Sequence, residues 1–214
     1  MKYLCFPIAF LLLIVNCQLR PFQGDDFFEG KLTFAVSAEF KNNRGEPDTS
    51  TARHFIKTNG DKRVVYLKNG NYRSEGINGS PHSIEYTIFH AGENKVYIKP
   101  GDKDTLFWYP TTKNSNDTLF KILKHEKNGV IHNGKRMHIL QTEYSRMKPI
   151  KYGFDHKRFT ETFYYSDDIK ISPEWFRNYE NKFFYKTFKI MGSFPVYYQM
   201  KYIDNTSYLS LIHI

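Results

Sequence analysis

Asn-Gly pairs at 59–60, 69–70, 78–79 and 133–134, together with Ala91-Gly92-Glu93 and Pro100-Gly101-Asp102, cut this chain into short segments. Asn-Gly supplies the positive φ that a two-residue hairpin turn demands, so segments spaced this closely pair with their sequence neighbours. An antiparallel meander follows. Leu32, Phe34, Val36, Ala38 and Phe40 fall on alternate positions, the period of a strand with one buried face. Further strands are expected at 53–57, 62–68, 71–75, 83–90, 95–99 and 105–109.

The second half continues the pattern. Leu119, Ile122 and Leu123 suit a helix face, but 117–127 reads better as a strand ending at Asn128-Gly129. Segments 130–132 and 135–144 flank the Asn133-Gly134 turn, and 158–165 is rich in Phe and Tyr. Ser172-Pro173-Glu174-Trp175 has a capping residue, Pro at the first helical position and an acid in the first turn, which predicts a short helix. Strands are expected at 183–190 and 194–202. The fold class is mainly β: an antiparallel meander forming a bent sheet or unclosed half barrel, with a short helix over the concave face.

With 214 residues the chain has room for one domain of ordinary size. Its 40% apolar and 25% charged residues exclude a multispanning membrane protein, and 17% aromatics exclude a disordered chain. The formal net charge of +9 comes from 31 Lys and Arg against 22 Asp and Glu. These cations are scattered singly among many Asn, Tyr, Phe and Ile, the texture of an AT-rich genome and not of a recognition patch.

Met1-Lys2-Tyr3, an apolar run over 4–15 and the polar Asn16-Cys17-Gln18 make residues 1–17 a signal peptide. The run is shorter than the roughly 20 residues a spanning helix needs. Cleavage after Cys17 and lipid acylation of Cys17 itself both remain open. Cys5 and Cys17 are the two cysteines, so the exported body, a single β-rich domain over 18–208, has no internal disulfide and relies on its core. Export places it in the periplasm or at the outer membrane of a Gram-negative bacterium.

Phe28-Glu29-Gly30-Lys31-Leu32-Thr33-Phe34, the hairpin at 66–73, Tyr164-Tyr165-Ser166-Asp167-Asp168-Ile169 and the Gly-x-Phe-Pro turn at 192–195 together resemble the uncharacterised secreted β-rich proteins of Bacteroidota. More distantly the chain is similar to the LolA/LolB lipoprotein carriers. That resemblance implies an unclosed barrel around an apolar concavity with a small helical element over it.

No catalytic set emerges. His54, His82, His90, His125, His132, His138, His156 and His213 lack any metal-ligand spacing. His132 and His138 flank a turn and read as exposed strand residues. Asp25-Asp26 and Asp167-Asp168 are adjacent pairs, which on a strand point to opposite faces, so they read as solvated turn residues. There is no G-x-S-x-G elbow, Gly-rich phosphate loop or free catalytic thiol. We therefore expect neither an enzyme nor a cofactor, and export speaks against a nucleic-acid partner.

The aromatic excess is left. A one-layer bent sheet has more apolar side chains than it can bury on itself, so Phe34, Val36, Tyr86, Ile88, Phe107, Tyr164 and Phe188 are expected to line a groove for a lipid, a lipoprotein acyl chain or another apolar ligand. The alternative is an interaction module that docks another envelope protein. Finally, Leu209-Ser210-Leu211-Ile212-His213-Ile214 matches the translation of a transposase adapter used in shotgun sequencing. We therefore expect 209–214 to be a sequencing artefact in place of a natural continuation, which predicts a missing neighbour, hence an open edge, for the strand at 194–202. The alternative is an authentic short apolar terminal strand.

Overall fold

The computed structural model describes residues 27–42, 44–112, 117–132, 134–150, 153–180, 183–202 and 208–213. The signal peptide, Cys17 and Asp25-Asp26 lie outside them. Eleven strands form one sheet: β1 (Gly30–Glu39), β2 (Lys62–Lys68), β3 (Asn71–Ile77), β4 (Ile84–His90), β5 (Lys95–Pro100), β6 (Phe107–Pro110), β7 (Asp117–His132), β8 (Lys135–Ile150), β9 (Gly153–Lys170), β10 (Ser193–Tyr202) and β11 (Tyr208–His213). Their spatial order is β6-β5-β4-β3-β2-β1-β11-β10-β9-β8-β7, every pair antiparallel. The sheet is open, with β6 and β7 as its edges.

Two meanders, β1 to β6 and β7 to β10, are joined by β11, which pairs Ile212 with Ala35 of β1 and with Tyr197 of β10. In this chain β10 therefore has neighbours on both sides and is not the expected open edge. The sheet bends strongly. In a flat sheet β4 and β9 would lie about 29 Å apart at about 4.8 Å per strand, yet Phe89 of β4 and Phe163 and Tyr165 of β9 belong to one buried cluster.

Helical residues fill the hollow. A 3₁₀ turn (Pro173–Phe176) and helix α2 (Phe184–Met191) contribute Phe176, Phe188 and Met191 to that cluster. The short helix over the concave face is thus present. The 183–190 segment is a helix where a strand is expected, because Phe184, Phe188 and Met191 recur at helical spacing and Gly192, at φ 62°, ends the last turn by donating its N–H to the Phe188 carbonyl at 2.8 Å.

The 53–57 segment is likewise a helix, α1 (Thr49–Asn59). Asp48 caps it by accepting the Thr51 N–H at 3.0 Å and the Thr51 hydroxyl at 2.6 Å. Asn59-Gly60 is accordingly the end of that helix and not a hairpin turn, with Gly60 at φ 91°. Asn128-Gly129 does not end β7. It lies at a register shift between Glu126 and Val130, and the strand runs on to His132. Asp167 and Asp168 sit inside β9, exposed but not in a turn. Ser172 precedes the 3₁₀ turn as expected, but its side chain makes no capping bond.

Candidate functional site

The concave face is built by register. Phe34 of β1 pairs with Arg63 of β2, Val65 with Ser74 of β3, and Leu67 with Tyr72, so these side chains alternate onto the same face. Across the bend, Phe163 of β9 pairs with Tyr198 of β10. Between these two walls lies a cavity of about 350 Å³, within the size range of small-ligand sites, roughly 300–1,000 Å³. Phe34, Val36, Arg63, Val65, Tyr72 and Ser74 form one wall, and Glu161, Phe163, Phe194, Pro195 and Tyr198 the other. Phe184, Thr187 and Phe188 of α2 and Phe55 and Asn59 of α1 complete it.

The lining is mostly aromatic, and the rings hold one another. Phe188 lies 5.7 Å from Phe194, 4.5 Å from Phe184 and 5.0 Å from Phe176, centroid to centroid. Such pairs add about 0.5–1.5 kcal/mol each beyond area burial, so the cavity wall is preformed.

A few polar groups interrupt it. Tyr198 donates its hydroxyl to Glu161 Oε1 at 2.6 Å. Arg63 Nη1 reaches Ser74 Oγ at 3.5 Å, a weak contact, and no carboxylate lies within 4.0 Å of its guanidinium among the described residues. Burial lowers the Arg63 pKa, although a guanidinium stays charged throughout the physiological range. Thr187 is 3% exposed, and its Oγ1 has no hydrogen-bond partner among the described residues. Burial pushes the Tyr72 phenol up to about 12, opposed by its hydrogen bond with Tyr179.

Of the seven groove residues expected from sequence, the cavity brings together Phe34, Val36 and Phe188. Phe107 shares the inner register, paired with Ile98, but sits on the edge strand 47% exposed and away from the cavity. Tyr86, Ile88 and Tyr164 are on the outer face, one residue out of phase. On β4 the inward positions are Thr87 and Phe89, facing Ser74 and Tyr72 of β3. Tyr86 instead lies under the Arg73 guanidinium at 4.2 Å, and Tyr164 packs on Tyr197 at 4.9 Å. The sequence reading missed Arg63, Tyr72, Phe163, Phe184, Phe194 and Tyr198. The Leu67–Tyr72 pairing across Asn69-Gly70 could have supplied Tyr72 from the hairpin register alone.

The two turn-flanking histidines do not face each other. His132 packs on the outer rings of Tyr164 and Tyr197, while His138 lies against the inward Tyr165. His138 is also buried and not exposed: its Nδ1 accepts the Asn128 N–H at 2.9 Å and its Nε2 lies 3.4 Å from Asp167. Among the described residues no three His, Cys, Asp or Glu side chains are grouped to hold a metal ion, and no helix is long and apolar enough to cross a membrane. Comparison of the chain with protein-family models, with curated proteins and with solved structures finds no match.

Proposed function

We propose that this chain is an exported cell-envelope protein that binds a lipid, an acyl chain or another apolar ligand on its concave β surface. The observation that carries the reading is the cavity of about 350 Å³ walled by rings from β1, β9, β10 and α2. A concave apolar surface gains by taking an apolar guest, at about 25 cal/mol per Å² removed from water. An open, bent sheet with a helix lying in its hollow is also the shape that the likeness to the LolA/LolB carriers implies. Export rests on residues 1–17. Acylation of Cys17 is a second proposal: labelled palmitate enters the protein and Cys17→Ser abolishes it, whereas unchanged processing of the variant means a form without an anchor.

Native mass spectrometry of the protein purified from an envelope fraction tests the reading. A bound mass that organic solvent releases as lipid is expected. Apo protein that also fails to take up an apolar fluorophore contradicts it.

One observation favours the second reading, a module that docks another envelope protein. Edge strand β6 leaves Phe107 and Trp108, with the adjoining Leu106, 47%, 57% and 44% exposed. An edge of this kind is open to strand addition. Crosslinking in cells separates the two, since one dominant protein partner without bound lipid selects the docking module.

A further inference from the structure

The polar groups in the cavity are not what a purely apolar guest needs. Arg63 places a guanidinium in the wall, partly removed from water, and Ser74 Oγ at 3.5 Å is its described hydrogen-bond partner. Glu161, on the facing wall, is already engaged by the Tyr198 hydroxyl at 2.6 Å. A guanidinium partly removed from water and held by one weak hydrogen bond gains from an anionic partner, so a guest that supplies one gains relative to a guest that does not.

We infer that the cavity takes a fatty carboxylate, its carboxylate on Arg63 and its chain among Phe163, Phe188 and Phe194. This rests on the reading that the cavity is a binding site. The planar guanidinium fork matches the two oxygens of a carboxylate. The aromatic wall beside Arg63 offers the acyl chain a continuous apolar bed.

Displacement of the neutral fluorophore N-phenyl-1-naphthylamine from the purified protein tests this with dodecanoate, dodecanol and dodecyl phosphate. Dodecanoate is expected to compete about 10- to 100-fold better than dodecanol, the range for a hydrogen-bonded charge. Equal competition by the acid and the alcohol overturns the inference and leaves apolar binding standing. Tighter competition by dodecyl phosphate overturns the carboxylate assignment. A fluorophore that does not bind, with no competitor detected by calorimetry either, overturns the binding reading itself. Arg63→Gln is expected to weaken dodecanoate at least tenfold and dodecanol less than threefold, with Arg63→Lys between, because it keeps the charge and loses the fork. Equal weakening of both ligands in Arg63→Gln overturns the charge role. The wild-type comparison of acid with alcohol involves no variant, so a misfolded Arg63→Gln leaves the decision intact.

Discussion

The Asn69-Gly70 turn lies directly under the indole of Trp175: a Cβ added at Gly70 would stand 2.7 Å from Trp175 Cγ. Gly70 also has φ 77° and Asn69 φ 48°, the two left-handed residues of a tight hairpin. One turn thereby fixes the β2–β3 register and the docking of the 3₁₀ turn that carries Phe176 into the core.

Gly70→Ala is therefore expected to cost more than Gly134→Ala. Gly134 has a similar φ of 75° but, among the described residues, nothing within 4 Å of an added Cβ, so it loses only the conformational preference, about 1–2 kcal/mol. Gly70→Ala adds the displacement of Trp175, about 1–3 kcal/mol more. Urea unfolding of both variants checks this. Equal losses mean that the Trp175 contact carries no weight.

Asp117 and Arg146 form a two-pronged ion pair at 2.6 and 3.1 Å, with the carboxylate fully buried and Arg146 29% exposed. Burial draws the Arg146 pKa down, but the Asp117 hydrogen bond and charge outweigh it and the net movement is upward. Removing the carboxylate takes from Arg146 its two-pronged ion pair, so Asp117→Ala is expected to destabilise by about 3 kcal/mol, the low end for buried pairs because Arg146 reaches water. Thermal unfolding that moves by less than a degree would contradict it.

Alkali should weaken the fold through the buried phenols. Tyr72 is pushed up to about 12 by burial, and Tyr179 rises further for the same reason, beside Tyr72 and Tyr109. A phenol with a raised folded pKa stabilises the protein fully below its unfolded pKa, near 10, and that stabilisation is lost as pH rises toward 12. Tyr72 alone accounts for about 3 kcal/mol over that interval. Stability measured by denaturant between pH 9 and pH 12 should fall steeply in the wild type and less steeply in Tyr72→Phe. Identical slopes would count against a buried Tyr72 hydroxyl.

Much of this fold is legible in the sequence because turn chemistry and alternation act locally. Asn69-Gly70 and Gly134 close hairpins where the residues demand them, and Leu32, Phe34 and Val36 face inward as their period requires. The two helices are less legible because each is short and its apolar residues also fit a strand. At 53–57 the deciding feature lies outside the segment, in the Asp48–Thr51 cap. The site was half legible for a related reason. Phe163, Tyr164 and Tyr165 are consecutive aromatics, and alternation cannot say which one points inward. Only the pairing of Phe163 with Leu140 and Tyr198 fixes that phase. Arg63 escaped notice because a lone cation in a strand is ordinary. Its meaning comes from the cavity around it.

On the proposed function the inner face, and not the outer one, receives an apolar ligand. Binding of N-phenyl-1-naphthylamine to Val36→Trp and Ile88→Trp tests it most directly, since the first indole would occupy the cavity and the second the outer face. With cooperative thermal unfolding kept in both, Val36→Trp is predicted to weaken the fluorophore at least tenfold and Ile88→Trp less than twofold. Equal binding by the two variants would contradict the account.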